Sequence, residues 1–182
     1  MKEHEQTSLL VEGLTSYPKA LAALNEFARL VTSTIQDVVE QELPSLSKAL
    51  HVDLEREELG DYVRPNRLAI PNPKDAILGA RIDRIGKSGW GLYFYLWWSK
   101  GTAMLCVSGW LRDARIADII FAEFQNVAPK GAIVLDAGHE LHISRRLPSD
   151  NPEQFPSLMR ELTQEFSSLW AKVGGLERFL KA

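Results

Sequence analysis

The segment DAGHELHIS, residues 136–144, sets His139 and His142 beside Asp136 and Glu140. Imidazole nitrogen and carboxylate oxygen are common donors to zinc, and the same groups move protons in hydrolysis. The spacing disfavours a metal centre. Side chains alternate along a strand, so His139 and His142 leave from opposite faces, and no second cluster supplies further ligands. The leading reading is a solvated turn, with these four residues as the metal candidates and as the basis of a third reading, an unfamiliar hydrolase.

The single cysteine, Cys106, lies in the apolar run AMLCVSGWL without a Cys/His signature around it. A small buried thiol is the ordinary occupant of such a place. The chain contains no G-x-x-x-x-G-K-[ST], no G-x-G-x-x-G after a strand, no H-E-x-x-H and no G-x-S-x-G. Each of those spacings positions a phosphate cradle, a metal or a nucleophile. A metal-dependent nuclease would need a carboxylate followed by D/E-x-K on the next strand, and Asp83 has no such companion. No catalytic residue and no cofactor is assigned, and the reading leans away from an enzyme.

The densest feature is GWGLYFYLWWSKG, residues 89–101, with six aromatic side chains in thirteen positions. It falls between ILGARIDRI and AMLCVSGWL, and the three runs read as an antiparallel meander. A three-residue turn Lys87-Ser88-Gly89 predicts Ile82 opposite Phe94, Ala80 opposite Leu96 and Leu78 opposite Trp98. A two-residue turn Lys100-Gly101 predicts Leu96 opposite Leu105 and Phe94 opposite Val107. Both place Leu78, Ala80, Ile82, Leu92, Phe94 and Leu96 on one apolar face. The other face collects Arg81, Asp83, Tyr93, Tyr95, Trp97 and Trp110, with Met104, Cys106 and Ser108 between them. Tyrosine and tryptophan combine an apolar body with a polar tip and are enriched where proteins meet partners. An arginine beside Tyr95 would also permit cation–π stacking.

Other elements must position this sheet. Apolar residues from Leu21 to Val39 recur at three and four, an amphipathic helix expected to start at Pro18 and to stop or kink at Pro44. Residues 1–17 are expected as a flexible lead-in. Residues 53–76, with three prolines from Pro65 to Pro73, read as a long irregular connection. DARIADIIFAEFQ is a helix capped by Asp113, with Ile116, Ile119, Ile120 and Phe124 on one face. A second hairpin turns at Asp136-Ala137-Gly138 and sets Ile133 opposite Leu141. A last helix, from Pro156 to Val173, ends at Gly174 and Gly175. The expected fold is α+β: one domain with a mainly antiparallel five-stranded sheet in the order α-βββ-α-ββ-α, and helices mostly on one face as a two-layer sandwich.

The net charge of −3 and pI of about 5.8 argue against bulk-charge binding of nucleic acid. Residues 37–61 carry eight acids against two bases, and residues 64–87 six bases against two acids, an asymmetry that suggests opposed faces. Arg112, Arg115, Arg145 and Arg146 suggest a basic rim at strand ends. The longest apolar run, residues 92–98, is far short of the roughly 20 residues a membrane span needs. The polar N-terminus shows no signal peptide, so a cytoplasmic location without membrane partners is expected.

The element order is similar to that of the small acidic chaperones of bacterial type III secretion, a likeness of topology that no motif carries. It implies a homodimer that binds a protein segment. The leading expectation is therefore a non-enzymatic protein-interaction module, self-associating, that uses the aromatic sheet face for a protein partner or a second copy. The alternatives are a secretion-chaperone-like homodimer and a nucleic-acid-associated accessory protein of a bacterial defence or mobile-element system, with Arg81 and the aromatics on a single strand.

Overall fold

The computed structural model describes residues 2–63, 77–85, 90–99, 102–136, 139–148 and 151–180. It is a mixed helix and sheet protein built on an antiparallel open sheet of six strands, one more than expected, with four helices among the described residues. In chain order these are α1 (Lys2–Leu50), β1 (Leu59–Val63), β2 (Ile77–Ile85), β3 (Trp90–Ser99), β4 (Thr102–Trp110), α2 (Ala114–Val127), β5 (Val134–Leu135), β6 (Glu140–Arg146), α3 (Phe155–Lys172) and α4 (Glu177–Leu180). The strand order across the sheet is β1-β2-β3-β4-β6-β5.

Helix α1 corrects two expectations. Residues 2–17 are helical, and the 49-residue helix runs on through Pro18 and Pro44. A proline inside a helix costs about 3 kcal/mol through a lost hydrogen bond and a ring clash. From Ala28 onward burial opposes that cost: Val31, Ile35, Val38, Leu43, Leu46 and Leu50 are all in the core. The helix stops at His51, whose positive φ of 59° takes the left-handed position usual after a helix end. Val52 N–H then donates to the Ser47 carbonyl at 3.2 Å.

Strand β1 corrects the reading of residues 53–76 as wholly irregular. A short turn of 3₁₀ helix at Arg56–Glu58 leads into it, and it pairs antiparallel with β2, Tyr62 opposite Gly79. Residues 64–76, with the three prolines, lie outside the described residues, as do the turns at 86–89 and 100–101.

The register of β3 with β4 is the expected one, Leu96 opposite Leu105 and Phe94 opposite Val107. That of β2 with β3 is displaced by two residues: Ile82 faces Leu92, Ala80 faces Phe94 and Leu78 faces Leu96. A bulge between Asp83 and Ile85, which places an extra residue on one strand, accounts for one of the two; the other is already present where Ile85 faces Trp90, beside residues 86–89. A shift of two preserves facing, so the division into two faces stands. The last hairpin is displaced likewise, with Leu135 rather than Ile133 opposite Leu141.

The core lies on the face of Leu78, Phe94, Leu105, Val107, Leu141 and Ile143. Phe166 of α3 packs there against Gly109 of β4, and Phe27 of α1 reaches Trp98 at 6.4 Å. Trp170 of α3 gathers Phe124, Trp90, Phe166 and Phe179 edge-on at 4.9–6.4 Å. Asp113 caps α2 as expected, accepting from Arg115 N–H at 2.9 Å. The buried side of α2 is Ala117, Ile120 and Phe124; Ile119 turns outward and is 54% exposed. Gly174 and Gly175 end α3 at φ of 86° and 80°, and Leu176 N–H ties this end to the Leu50 carbonyl of α1 at 2.8 Å.

Candidate functional site

Register alone places Arg81, Asp83, Tyr93, Tyr95, Trp97 and Trp110 together on the face away from the core. Strand alternation adds Tyr62 from β1 and Glu140, His142, Ser144 and Arg146 from β6. The helix contacts described above all fall on the opposite face.

Two glycines shape this surface. Gly79 stands between Tyr62 and Tyr95 in the ladder, and a Cβ there would lie 2.0 Å from the Phe94 carbonyl oxygen. The two rings meet edge-on over the gap at 5.6 Å. Tyr93 folds back over Gly91, its hydroxyl 2.8 Å from where a Cβ would stand, and packs on Tyr62 at 4.9 Å. Rings that cover glycine backbone in this way stabilise a sheet. Part of the aromatic content is therefore structural. The tyrosine of β1 was missed by sequence reasoning because its strand was not recognised.

Beneath the rings lies a polar cluster. Glu140 Oε1 accepts from Tyr95 Oη at 3.1 Å and from Ser108 Oγ through a short hydrogen bond. Ser108 is wholly buried, Cys106 nearly so, and Tyr95 is 9% exposed. Burial pushes the Tyr95 phenol far above its ordinary value, with Cys106 and Glu140 adding to it. Burial likewise raises the Cys106 thiol, opposed in part by the neighbouring Tyr95 hydroxyl. Tyr93 is raised by burial and then by the charge of Asp83. Protons are thus held on the Tyr93 and Tyr95 phenols and the Cys106 thiol, the reverse of what a thiolate or phenolate nucleophile requires.

His142 stands directly opposite Ser108, where paired Cβ atoms are about 5 Å apart, but Ser108 donates its hydrogen bond to Glu140. The His142 Nδ1 and the Trp97 Nε1 are buried without a hydrogen-bond partner. Trp110, at the strand end, is 37% exposed. Arg81 pairs with Asp83 at 3.0 Å and stands opposite Tyr93, not Tyr95, which removes the expected stacking geometry.

Backbone hydrogen bonds, not a ligand set, organise the histidine turn. Asp136 accepts from the Glu140 and His139 backbone N–H groups, through Oδ1 at 3.3 Å and its carbonyl at 3.1 Å. His139 takes a positive φ of 60°, and its carbonyl accepts from Leu111 N–H at 3.2 Å. Among the described residues no group of three or more His, Cys, Asp or Glu side chains is arranged to hold a metal. The arginine rim is not formed either. Arg145 reaches Glu161 and Glu165 of α3 at 3.3 and 2.5 Å, whereas Arg146, opposite Met104, belongs to the aromatic face.

Two grooves flank α1. One of about 380 Å³ lies against β1, lined by Thr32, Gln36 and Asp61; one of about 470 Å³ lies against α3, lined by Glu42, Lys48, His51 and Ser168. Neither has a lining residue on the aromatic face. No protein family, curated protein or solved structure matches the chain.

Proposed function

We propose that the protein is a non-enzymatic interaction module with a two-layer build, helices on one face of the sheet and a protein partner on the other. The observation that carries this reading is the aromatic face itself: Trp110 is exposed on it, and the donor of Trp97 and the Nδ1 of His142 are buried there without partners. Trp110 offers open apolar surface diagonal to His142 across β4 and β6, and Trp97 of β3 lies toward the far end of β4, opposite Met104, so the face suits an extended peptide segment that supplies apolar side chains and a hydrogen-bonding group. The high phenol and thiol and the buried Ser108 support a binding surface over a reaction centre. A single-stranded nucleic acid is less well served, because Arg81 is already paired with Asp83. No described helix is long and apolar enough to cross a membrane.

Selection from a displayed random-peptide library tests the proposal. The wild-type protein should enrich a sequence motif, and Trp97→Ala/Trp110→Ala, folded by circular dichroism, should not. Equal enrichment by both proteins, or none by either, would count against it.

A further inference from the structure

Residues 11–23 of α1 are exposed on every side, so this stretch stands clear of the body. A lone helix of this length is marginal in water, and Pro18 removes one of its hydrogen bonds. Even so, it carries a hydrophobic seam. Leu14, Tyr17, Leu21 and Leu24 step by three, four and three, and the same steps continue through Ala28 to Val38. From Ala28 onward the seam is buried in the chain's own core, whereas Leu14 and Tyr17 are 69% and 61% exposed. The steps are those of a heptad repeat, the pattern of paired helices.

We propose that this free stretch of α1 pairs antiparallel with the same stretch of a second copy. Three observations select that occupant. The positions flanking the seam are Val11, Gly13, Pro18, Ala20, Asn25 and Phe27, none charged, so identical helices meet without repulsion. The charges Glu12, Lys19 and Glu26 fall on the outermost heptad position. Direction follows from the body: the seam beyond Ala28 faces the protein's own sheet, which fills the space a parallel partner's helix would need. Centred on Lys19, the antiparallel pairing sets Leu14 against Leu24 and Tyr17 against Leu21 of the second copy. It also brings Phe27, 41% exposed, to Gly13, which has open space where a side chain would be. The contact is separate from the aromatic face.

Sedimentation equilibrium of the full chain should give twice 20.5 kDa, or about 41 kDa. Leu14→Glu/Leu21→Glu should halve the mass with unchanged tryptophan fluorescence, since the five tryptophans lie in residues 90–170. Under mild oxidation Leu14→Cys/Leu24→Cys should yield a reducible covalent dimer, and Leu14→Cys alone should not. Trp97→Ala/Trp110→Ala should remain dimeric, which separates this contact from the aromatic face. A wild-type monomer at about 100 µM, where even weak association shows, would overturn the proposal and leave the helix to a different partner. A dimer that survives Leu14→Glu/Leu21→Glu, or that is lost in the tryptophan variant, would place the contact elsewhere. Efficient cross-linking by Leu14→Cys alone would overturn the antiparallel direction.

Discussion

Replacing Glu140 by alanine removes the carboxylate that accepts from both Tyr95 and Ser108. Ser108 is wholly buried and Tyr95 nearly so, so neither hydroxyl regains a full water shell. A buried donor left unpaired costs about 1–3 kcal/mol. Two such donors, less some relaxation at half-buried Glu140, give about 3 kcal/mol of lost stability, a large part of the 5–15 kcal/mol typical of a domain. Glu140→Gln keeps an acceptor oxygen but loses the charge assistance, and should cost about 1 kcal/mol. Ser108→Ala on top of Glu140→Ala removes one stranded hydroxyl, so the double variant should lie about 1 kcal/mol above the sum of the single losses. Urea titration followed by tryptophan fluorescence reads all of these, provided the slope is unchanged between variants. The reasoning fails if Glu140→Ala costs less than about 1 kcal/mol, or if glutamine is as damaging as alanine.

Other consequences follow from the same face. Tyr95 has a folded pKa raised above its ordinary 10.0, so the stability this contributes is complete below pH 10.0 and is lost as pH rises beyond it. Alkaline titration should therefore show tyrosinate absorbance from Tyr95 appearing together with unfolding, and Tyr95→Phe should weaken the alkaline loss. The buried, raised Cys106 thiol should resist labelling by a disulfide reagent in the native protein and react promptly in denaturant; rapid native labelling would contradict its placement. Gly79→Ala should cost at least about 3 kcal/mol, or abolish folding, because its Cβ meets the backbone of Phe94. Gly60→Ala, with nothing within 4 Å, should change stability by no more than about 0.5 kcal/mol in the same titration.

The sheet faces were legible because alternation survives any even displacement. Lys100-Gly101 leaves room for only a tight turn, and the pairing of Leu96 with Leu105 followed directly. Neither the bulge between Asp83 and Ile85 nor the one-residue offset already present at Ile85 and Trp90 gives a comparable signal in IDRIGKSG, so Ile82 was matched to Phe94 instead of Leu92. Strand β1 was hidden because LGDYV is short and follows an acidic run, and its place is set by pairing with β2 rather than by its own pattern. Pro18 and Pro44 read as helix boundaries on local grounds, but the buried stripe from Ala28 to Leu50 outweighs Pro44. Pro18 has no such compensation among the described residues, which is consistent with the helix pairing proposed above. Glu140 was placed on the correct face and given the wrong chemistry. A carboxylate shared between Tyr95 and Ser108 depends on three strands meeting, and no spacing along one strand reveals it.

The central claim is that a partner protein occupies the aromatic face, and a photo-activatable phenylalanine analogue placed at Trp110 tests it most directly in a whole-cell extract of the source organism. The account predicts a covalent adduct with one discrete protein at position 110, suppressed by Trp97→Ala, and no such adduct when the probe replaces Ile119, which is more open on α2. The same adducts at both positions, or none at position 110, would contradict it.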